Sequence, residues 1–507
     1  MRWPDLPLAA LALFALGGCA SRALENAPER PDAPWHPATN TAGEIVYGKP
    51  VAGGNSYVLP ANPALASVPQ VPAALAADHP YTLAELIDVA QSSHPETRIA
   101  WDDARRAALA AGIARSTYLP HVTANAIGGH RSTHGDHNAL GTNLDGSSSG
   151  SGSVEALSLE WLLFDFGERG AVIEQVRQLS IASNIAFNAS HQHVIHEVAV
   201  AFYADAAARA RAVTAAQSQR NAQDIEAAAT DRLKHGIGTV LETTQAHQAS
   251  AQALLARIQA DGHAQDARLA LITAMGISPL AHFEVEDISQ RKLPAPSDHA
   301  IDAIVADALA RRPDVLGAHA AENASLAGIR AAEADFKPKV FMSVTGAYGS
   351  GHLDATAVPP INQQGGSFNL GGEHWGSTVL FGVSVPLYDG GLRDAVLRQA
   401  RASADAASAN SERVRDEAVR QVVAAQNALD TGLAANEAAQ ALQAAAQTSY
   451  DAALDAYRHG VGTVTAVTAA ATQLLQARDA SADAHSAALA AAATLAFATG
   501  ALGAAPE

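Results

Sequence analysis

From Leu157 the chain alternates for several residues. Leu157, Leu159, Trp161 and Leu163 fall on one side, and Ser158 and Glu160 on the other. The same alternation returns far downstream, with Trp375, Val379, Phe381, Val383 and Val385 set against Thr378, Gly382 and Ser384. A period of two predicts strands with one apolar face. Weaker partners precede each run: Val122, Ala124 and Ala126 against Thr123 and Asn125, then Val340, Met342, Val344 and Tyr348 against Ser343 and Thr345. Two hairpins are therefore expected, over 121–164 and 339–387. The polar stretches 132–153 and 350–374, rich in Gly, Ser, Asn and Asp, read as their long connecting loops. Aromatic residues stand near the strand ends (Tyr118, Trp161, Phe164, Phe341, Tyr348, Trp375 and Tyr388), as interface belts do in membrane barrels, whose strands need ~9–11 residues.

The helical signals are equally marked. Thr82 followed by Glu85 forms a capping-box pattern. Pro95 and Pro313 sit where a helix tolerates proline, in its first turn, and Pro120 and Pro338 stop those helices. No proline lies between Pro120 and Pro279, or between Pro386 and Pro506. Glu168 to His235 and Leu392 to His459 then read as helices of about 68 residues, roughly 100 Å each. A helix of that length belongs in a coiled coil or a repeat. Val172, Val176, Leu179, Ser183, Ala186, Ser190, Val194, Val198 and Phe202 supply a seam at steps of three and four. Each long helix ends at a double-glycine turn, Gly236-Ile237-Gly238 and Gly460-Val461-Gly462. Thr239 restarts the chain with Glu242 completing its capping box, whereas Ala466 leaves the box of Thr463 incomplete.

The two series of elements are copies of one another. Leu86 through Gly129 aligns without gaps to Ile304 through Ala347, pairing His94-Pro95-Glu96 with Arg312-Pro313-Asp314. Tyr118-Leu119-Pro120 pairs with Phe336-Lys337-Pro338. After a short length difference, Phe164-Asp165-Phe166-Gly167 pairs with Tyr388-Asp389-Gly390-Gly391, and the two tip turns match. The chain divides into residues 1–18, a signal peptide; 19–80, an extended Pro-rich linker; 81–290 and 291–500, the two repeats, with tips at 235–239 and 459–463; and 501–507, a tail.

Composition narrows the architecture. Hydrophobic residues are 48% of the 507, yet aromatics are only 5%. Alanine supplies about a quarter, roughly three times ordinary usage. Small side chains let backbones approach, so thin walls of close helices fit better than a thick core. The net charge of −18 and the scarcity of lysine argue against a nucleic-acid partner.

The single cysteine, Cys19, excludes an intramolecular disulfide. It follows a short basic start and an apolar run too short to span a bilayer, and Leu16-Gly17-Gly18-Cys19 resembles a bacterial lipobox. That resemblance implies lipidation of Cys19, and Ala20 after it implies sorting to the outer membrane.

Taken together, in duplicate and in order, these motifs resemble the TolC-like outer-membrane factor family from Thr82 to near Gly500. The resemblance implies a mixed, mostly α fold with an internal two-fold repeat. Long antiparallel helical coils would form a periplasmic α-barrel, and the hairpins a trimeric 12-stranded outer-membrane β-barrel. The strands alone already require oligomerisation, because four cannot close a barrel. The function implied is the exit duct of a tripartite efflux system, passively conducting drugs or other small solutes. The partners implied are two further copies in a homotrimer, a periplasmic adaptor protein, an inner-membrane pump and outer-membrane lipid. Gly236, Ile237, Gly238 and Thr239, with Gly460, Val461, Gly462 and Thr463, resemble the family's adaptor-docking turns, although the glycines also serve the chain reversal itself. The family closes this end with an acidic constriction. Here Thr468-Ala469-Ala470 stands in place of the usual aspartate, so Glu242, Asp451 and Asp455 are the candidate carboxylates. Trp161, Phe164, Trp375 and Tyr388 are the candidate barrel-interface aromatics.

Other chemistry is thin. His191, His193 and His196 share a helix, but only His193 and His196 share a face, so solvated histidines are expected rather than a metal site. Gly146-Ser147-Ser148-Ser149-Gly150 matches a nucleophile-elbow pattern in form but lacks its strand-turn-helix context. No catalytic or cofactor motif is present, and neither an enzyme nor a bound cofactor is expected. Two alternatives remain open: the outer-membrane outlet of a type I protein secretion system, and a structural coiled-coil lipoprotein without a pore.

Overall fold

The computed structural model describes residues 26–28, 30–51, 56–68, 70–75, 79–139, 142–295, 300–356, 367–371 and 374–502. The segment expected to be a signal peptide, and Cys19, lie outside the described residues. Two units divide the chain, Met1–Val71 and Pro72–Glu507. In the first, the described residues make short turns. Asn40 Oδ1 accepts from the N–H groups of Ala42 and Glu44, Thr39 bridges to Ile45, and Asn62 caps a 3₁₀ turn over Pro63–Leu65.

The second unit holds eight α-helices and five strands among the described residues. In chain order they are α1 (Leu83–Ser93), α2 (Pro95–Ser116), β1 (His121–Ala139), β2 (Thr142–Phe164), α3 (Glu168–Lys234), α4 (Val240–Ala274), α5 (Ile301–Arg311), α6 (Pro313–Ala334), β3 (Lys339–Thr356), β4 (Ser367–Gly371), β5 (His374–Ser384), α7 (Leu392–Arg458) and α8 (Val464–Ala498). α3 and α7 have 67 residues each, and α4 and α8 have 35 each.

Local chemistry sets the helix ends. Thr82 and Glu85 form the expected capping box of α1. Pro95 opens α2 behind an unusual cap, the Nδ1 of His94 accepting from the Glu96 N–H at 3.1 Å. At the equivalent start of α6, Arg312 is buried instead. Its guanidinium donates to Asp314, to Gln421 and to the carbonyl of Ala498, tying α6 to α7 and the end of α8.

α3 is the central strut, packing against α2, α4, α6 and α8, while α7 packs against α5, α6 and α8. The largest buried cluster lies around the middle of α3, where Val194, Val198 and Phe202 meet Leu86 and Val89 of α1, Leu271 of α4, Met275, and Leu489 of α8. A parallel bridge between Tyr81 and Val285 pins the segment after α4 to this cluster. The predicted seam is thus half right. Val194, Val198 and Phe202 are buried, but Val172 and Leu179 are exposed, and Ala171 and Ile173 are buried in their place. The reason is that α3 changes neighbours along its length, and a straight helix drifts by ~20° per heptad against a fixed seven-residue stripe. The alanine-rich walls do come close: a Cβ on Gly432 of α7 would lie 3.2 Å from the Cα of Ala488 in α8.

The strands form one antiparallel sheet. β1 pairs with β2, β2 with β3, and β3 with β5, while β4 pairs with the far end of β3. Where they are described, the stretches expected as loops, 132–153 and 350–374, are strand: β1 runs to Ala139, β2 starts at Thr142, β3 continues to Thr356 and β4 spans Ser367–Gly371. Ladder bonds use backbone groups, so a strand with a well-registered partner extends through Gly and Ser without a patterned face. The hairpins are equivalent at the level of single residues. His121↔Glu160 and Lys339↔Ser384 are counterparts in the sequence alignment and partners in the ladders. Val385, expected in the last strand, lies just past its end.

Candidate functional site

Two regions carry the predicted functional residues, the sheet with its junction to the long helices and the pair of helical tips.

Across the sheet the register sorts side chains into rows. Val122, Leu159, Val344 and Val379 stand directly opposite one another across four strands, on one face. Trp161, Met342 and Phe381 form the next row on that face. Thr123, Ser158, Thr345 and Thr378 form the corresponding row on the other face. The apolar face is open: Val379, Phe381 and Val383 are each more than half exposed. An apolar exterior backed by a polar face is the pattern of a membrane β-barrel wall. The outer edges, β1 and β5, have no strand partner on their far sides among the described residues.

The candidate interface aromatics are placed unequally. Trp161 donates its Nε1–H to the carbonyl of Tyr118 at 2.9 Å, which fixes the ring at the end of β2. A register slip between Leu162 and Phe164 sets Phe164 opposite Val340, where it meets Phe166 edge-on at 4.7 Å. Bulges of this kind re-aim side chains. Trp375 stands opposite Tyr348, and Tyr388 is 91% exposed. Phe341, expected in the belt, instead lies on the polar face with its ring over Gly382, where a Cβ would meet it at 2.2 Å.

Beneath the sheet, the motif shared by both halves folds into one device. Asp165 Oδ1 accepts from the Gly167 N–H, and its Oδ2 accepts from the N–H and the Nε of Arg169. Gly167 has φ +94°, the left-handed conformation that lets the chain turn from strand into helix. Arg169 also donates to the carbonyl of Thr117 and lies 4.7 Å over the ring of Tyr118. Burial pushes the Asp165 carboxyl up, but the Arg169 hydrogen bonds outweigh it and hold the group below the ordinary aspartate value. In the second half, Asp389, Gly391 and Arg393 repeat the turn, yet there Arg393 reaches the Asp335 carboxylate at 3.2 Å. Lys339 joins Asp335 to Glu168 at 2.8 and 2.7 Å, linking α6, β3 and α3.

The tips are a matched pair. At the end of α3 the Ile237 and Gly238 N–H groups donate to the Arg232 carbonyl, and the Gly236 N–H to Leu233. At the end of α7, Val461 and Gly462 donate to Ala456, and Gly460 to Tyr457. These are Schellman closures, which satisfy the last carbonyls of a helix. The first glycine takes positive φ (+74° at Gly236, +79° at Gly460). The second is needed for space: a Cβ would lie 2.8 Å from Leu233 N at Gly238 and 3.0 Å from Tyr457 N at Gly462. Thr239 and Thr463 then cap α4 and α8, with Glu242 completing only the first box. The reversal thus uses both glycines and the threonine, and leaves Ile237 and Val461 at the apices, 67% and 84% exposed.

The candidate carboxylates differ in their commitments. Glu242 Oε2 accepts from the Thr239 N–H at 3.2 Å. Asp451 and Asp455 lie one turn apart and exposed on α7, in a groove with Thr448 and Arg458, and Asp451 accepts from Gln447. The sequence reading missed two neighbours. Arg232 spans the tips, its Nη2 donating to the Ile237 carbonyl and its Nη1 to that of Tyr457, with the guanidinium 5.3 Å from the Tyr457 ring. Tyr457 is fully buried in the tip cluster with Val464, Val467 and Leu474. Its only sequence signal is that it is an aromatic in an alanine-rich helix two residues from the turn.

The histidines of α3 take separate polar partners. His193 faces Glu197 at 3.2 Å, while His196 stacks on Phe497 at 4.6 Å and meets Thr494. Burial, then the neighbouring His193, holds the His196 imidazole below its ordinary pKa. No helix among the described residues is long and apolar enough to cross a membrane.

The sequence pattern of the outer membrane efflux protein family matches residues 86–277 and again 304–501. The chain belongs to this family. Its double match follows the two series of elements described above, and the family is one of outer-membrane channels rather than enzymes. Among individual proteins, the chain is 27% identical to protein CyaE of Bordetella pertussis over 323 residues, 63% of each chain. It is also 27% identical to outer membrane protein OprJ of Pseudomonas aeruginosa, over 75% of each. The fold is that of CusC, whose crystal structures concern folding and transmembrane channel formation: TM-score 0.69 at 21% identity, covering 82% of this chain and 92% of that one.

Proposed function

We propose that this protein is the outer-membrane exit duct of a tripartite efflux system, conducting drugs or other small solutes passively from an inner-membrane pump and its periplasmic adaptor to the exterior. The observation that carries this reading is the sheet: an apolar row facing out, a polar row behind it, and two open edges. β4 and β5 pair with successive stretches of β3 and take one strand position, so three copies joined edge to edge give a closed 12-stranded barrel, and closure is what a bilayer demands of strands. The long helices, about 100 Å each, continue the barrel as a periplasmic tunnel. Cys19 carries the lipid anchor. The adaptor meets the tips through Ile237 and Val461, the exposed side chains of turns whose glycines and threonines are occupied by the chain reversal. Asp451 and Asp455 are better placed than Glu242 to line the constriction, because Glu242 is held by its cap. The acidic balance of the chain favours cationic solutes.

The test is single-channel conductance in planar bilayers, comparing the wild type with a variant lacking 121–163 and 339–387. Discrete, cation-preferring openings in the wild type alone are expected. A folded, inserted wild type that stays silent, even after Asp451 and Asp455 are both replaced by alanine, favours the pore-free structural reading. In a deletion strain, restored drug tolerance without a change in exported protein separates efflux from type I secretion.

A further inference from the structure

The seam between α3 and α8 joins the long helix of the first half to the second helix pair. It holds one cation against two carboxylates. Arg211 of α3 is bound in bidentate fashion by Asp483 of α8, Nε to Oδ1 at 2.6 Å and Nη2 to Oδ2 at 2.5 Å. Asp479 lies one helical turn before Asp483, on the same face. Its Oδ1 is buried and has no hydrogen-bond partner among the described residues. Beside it, Arg211 and Asp483 stay partly exposed, with side-chain exposures of 47% and 39%.

We propose that Asp479 makes this seam proton-responsive. Ionised, it competes with Asp483 for a single guanidinium and holds α3 and α8 short of full contact; protonated, it lets them close.

The groups that act on it are few. From α3, Arg211 faces it, while Arg209 is committed to Asp205 and Arg220 to Gln217. From α7, Gln447 takes the neighbouring Arg478 away from it, Glu437 is exposed, and Tyr450 answers to Asp224, Arg458, Asp451 and Arg478. On α8 itself, Asp483 repels it, and His485 is turned to the carbonyl of Arg291. Burial, with the Asp483 charge adding to it and Arg211 opposing, raises the Asp479 carboxyl to about 6. A group whose native pKa lies above its unfolded value stabilises the fold at low pH and loses that contribution as pH rises through the native value. The window here runs from about 6 downward toward the ordinary 3.8.

The experiment is hydrogen exchange on the full-length protein in detergent, following peptides that cover residues 208–218 and 476–486. Rates are compared at pH 7.5 and pH 5 after correction for intrinsic chemistry. In the wild type, the acid sample is expected to exchange about tenfold more slowly in these peptides, as one pK unit of differential interaction implies. Asp479→Asn is expected to be protected already at pH 7.5 and to show no acid response. Asp483→Asn frees Arg211 for Asp479, so the response is expected to move below pH 5. An Asp479→Asn variant that keeps the wild-type pH response overturns the proposal. So does an Asp483→Asn variant whose response does not move, a result that stands even if the first variant fails to fold.

Discussion

Arg232, on the last turn of α3, holds its guanidinium 5.3 Å from the ring of Tyr457 on the last turn of α7, so one side chain couples the two helical tips. The coupling is incompletely satisfied. Arg232 Nε and the Tyr457 hydroxyl are both buried without a hydrogen-bond partner among the described residues. An orphaned buried polar group costs about 1–3 kcal/mol. Tyr457→Phe removes the orphan and keeps the ring, so it is expected to leave stability unchanged or raise it by about 1 kcal/mol. Tyr457→Ala empties the tip cluster and is expected to cost about 3–5 kcal/mol, as aromatic truncations in cores do. Thermal unfolding of the two variants side by side reads both.

The paired glycines of each tip serve different ends and should fail differently. Gly236→Ala meets open space and bears only the cost of left-handed backbone, about 1–2 kcal/mol. Gly238→Ala would press its Cβ against the backbone of Leu233 and Arg232, so it is expected to cost more than Gly236→Ala. Gly462→Ala and Gly460→Ala should rank in the same order. Equal losses at both positions of a tip would contradict the steric account.

Glu242 can be tested as cap and as constriction in one series. Thr239→Ala removes the cap of α4 and is expected to cost about 1 kcal/mol. Glu242→Gln retains a capping-box residue and drops the charge. It should leave the melting temperature within a degree or two (about 0.5 kcal/mol or less for a change of this kind). A marked loss of cation preference in bilayer conductance with Glu242→Gln would place that carboxylate in the pore; no change leaves the task to Asp451 and Asp455.

The strand-to-helix junctions share a motif but not an environment. Asp165 and Arg169 are buried, whereas Asp389 is exposed. Asp165→Ala strands a buried guanidinium and is expected to destabilise by about 3–5 kcal/mol. Asp389→Ala opens an exposed pair and is expected to cost clearly less than Asp165→Ala. Chemical denaturation of both variants checks the contrast.

The start of α1 should loosen in acid. Hydrogen bonds from the Thr82 backbone, then His79 and the Thr82 side chain, lower the Glu85 carboxyl to about 2 from the ordinary 4.5. A depressed pKa contributes stability that is complete above 4.5 and is lost as pH falls through about 2. Exchange protection at residues 83–86 is expected to drop between pH 4.5 and pH 2 in the wild type and to be low throughout in Glu85→Ala.

Local chemistry by itself determined a large part of this protein. The ends of the helices, the two tip turns and the alternation of the strands are written in neighbouring residues, because caps, proline, glycine and period-two patterning act over a few positions. The correspondence of the two halves was also legible, but the ladder register that sets His121 opposite Glu160 and Lys339 opposite Ser384 was not. What tertiary structure decided is what each copy touches. Val240 and Val464 hold the same place in the duplicated turn, yet one is 70% exposed and the other 2%. Arg169 and Arg393 open equivalent helices, but one finds the carbonyl of Thr117 and the other the carboxylate of Asp335. The contact of Arg232 with Tyr457 and the orphaned oxygen of Asp479 likewise exist only where distant helices cross. A repeated sequence fixes repeated local geometry; burial depends on the neighbours brought to each copy by the rest of the chain, and no short-range pattern encodes them.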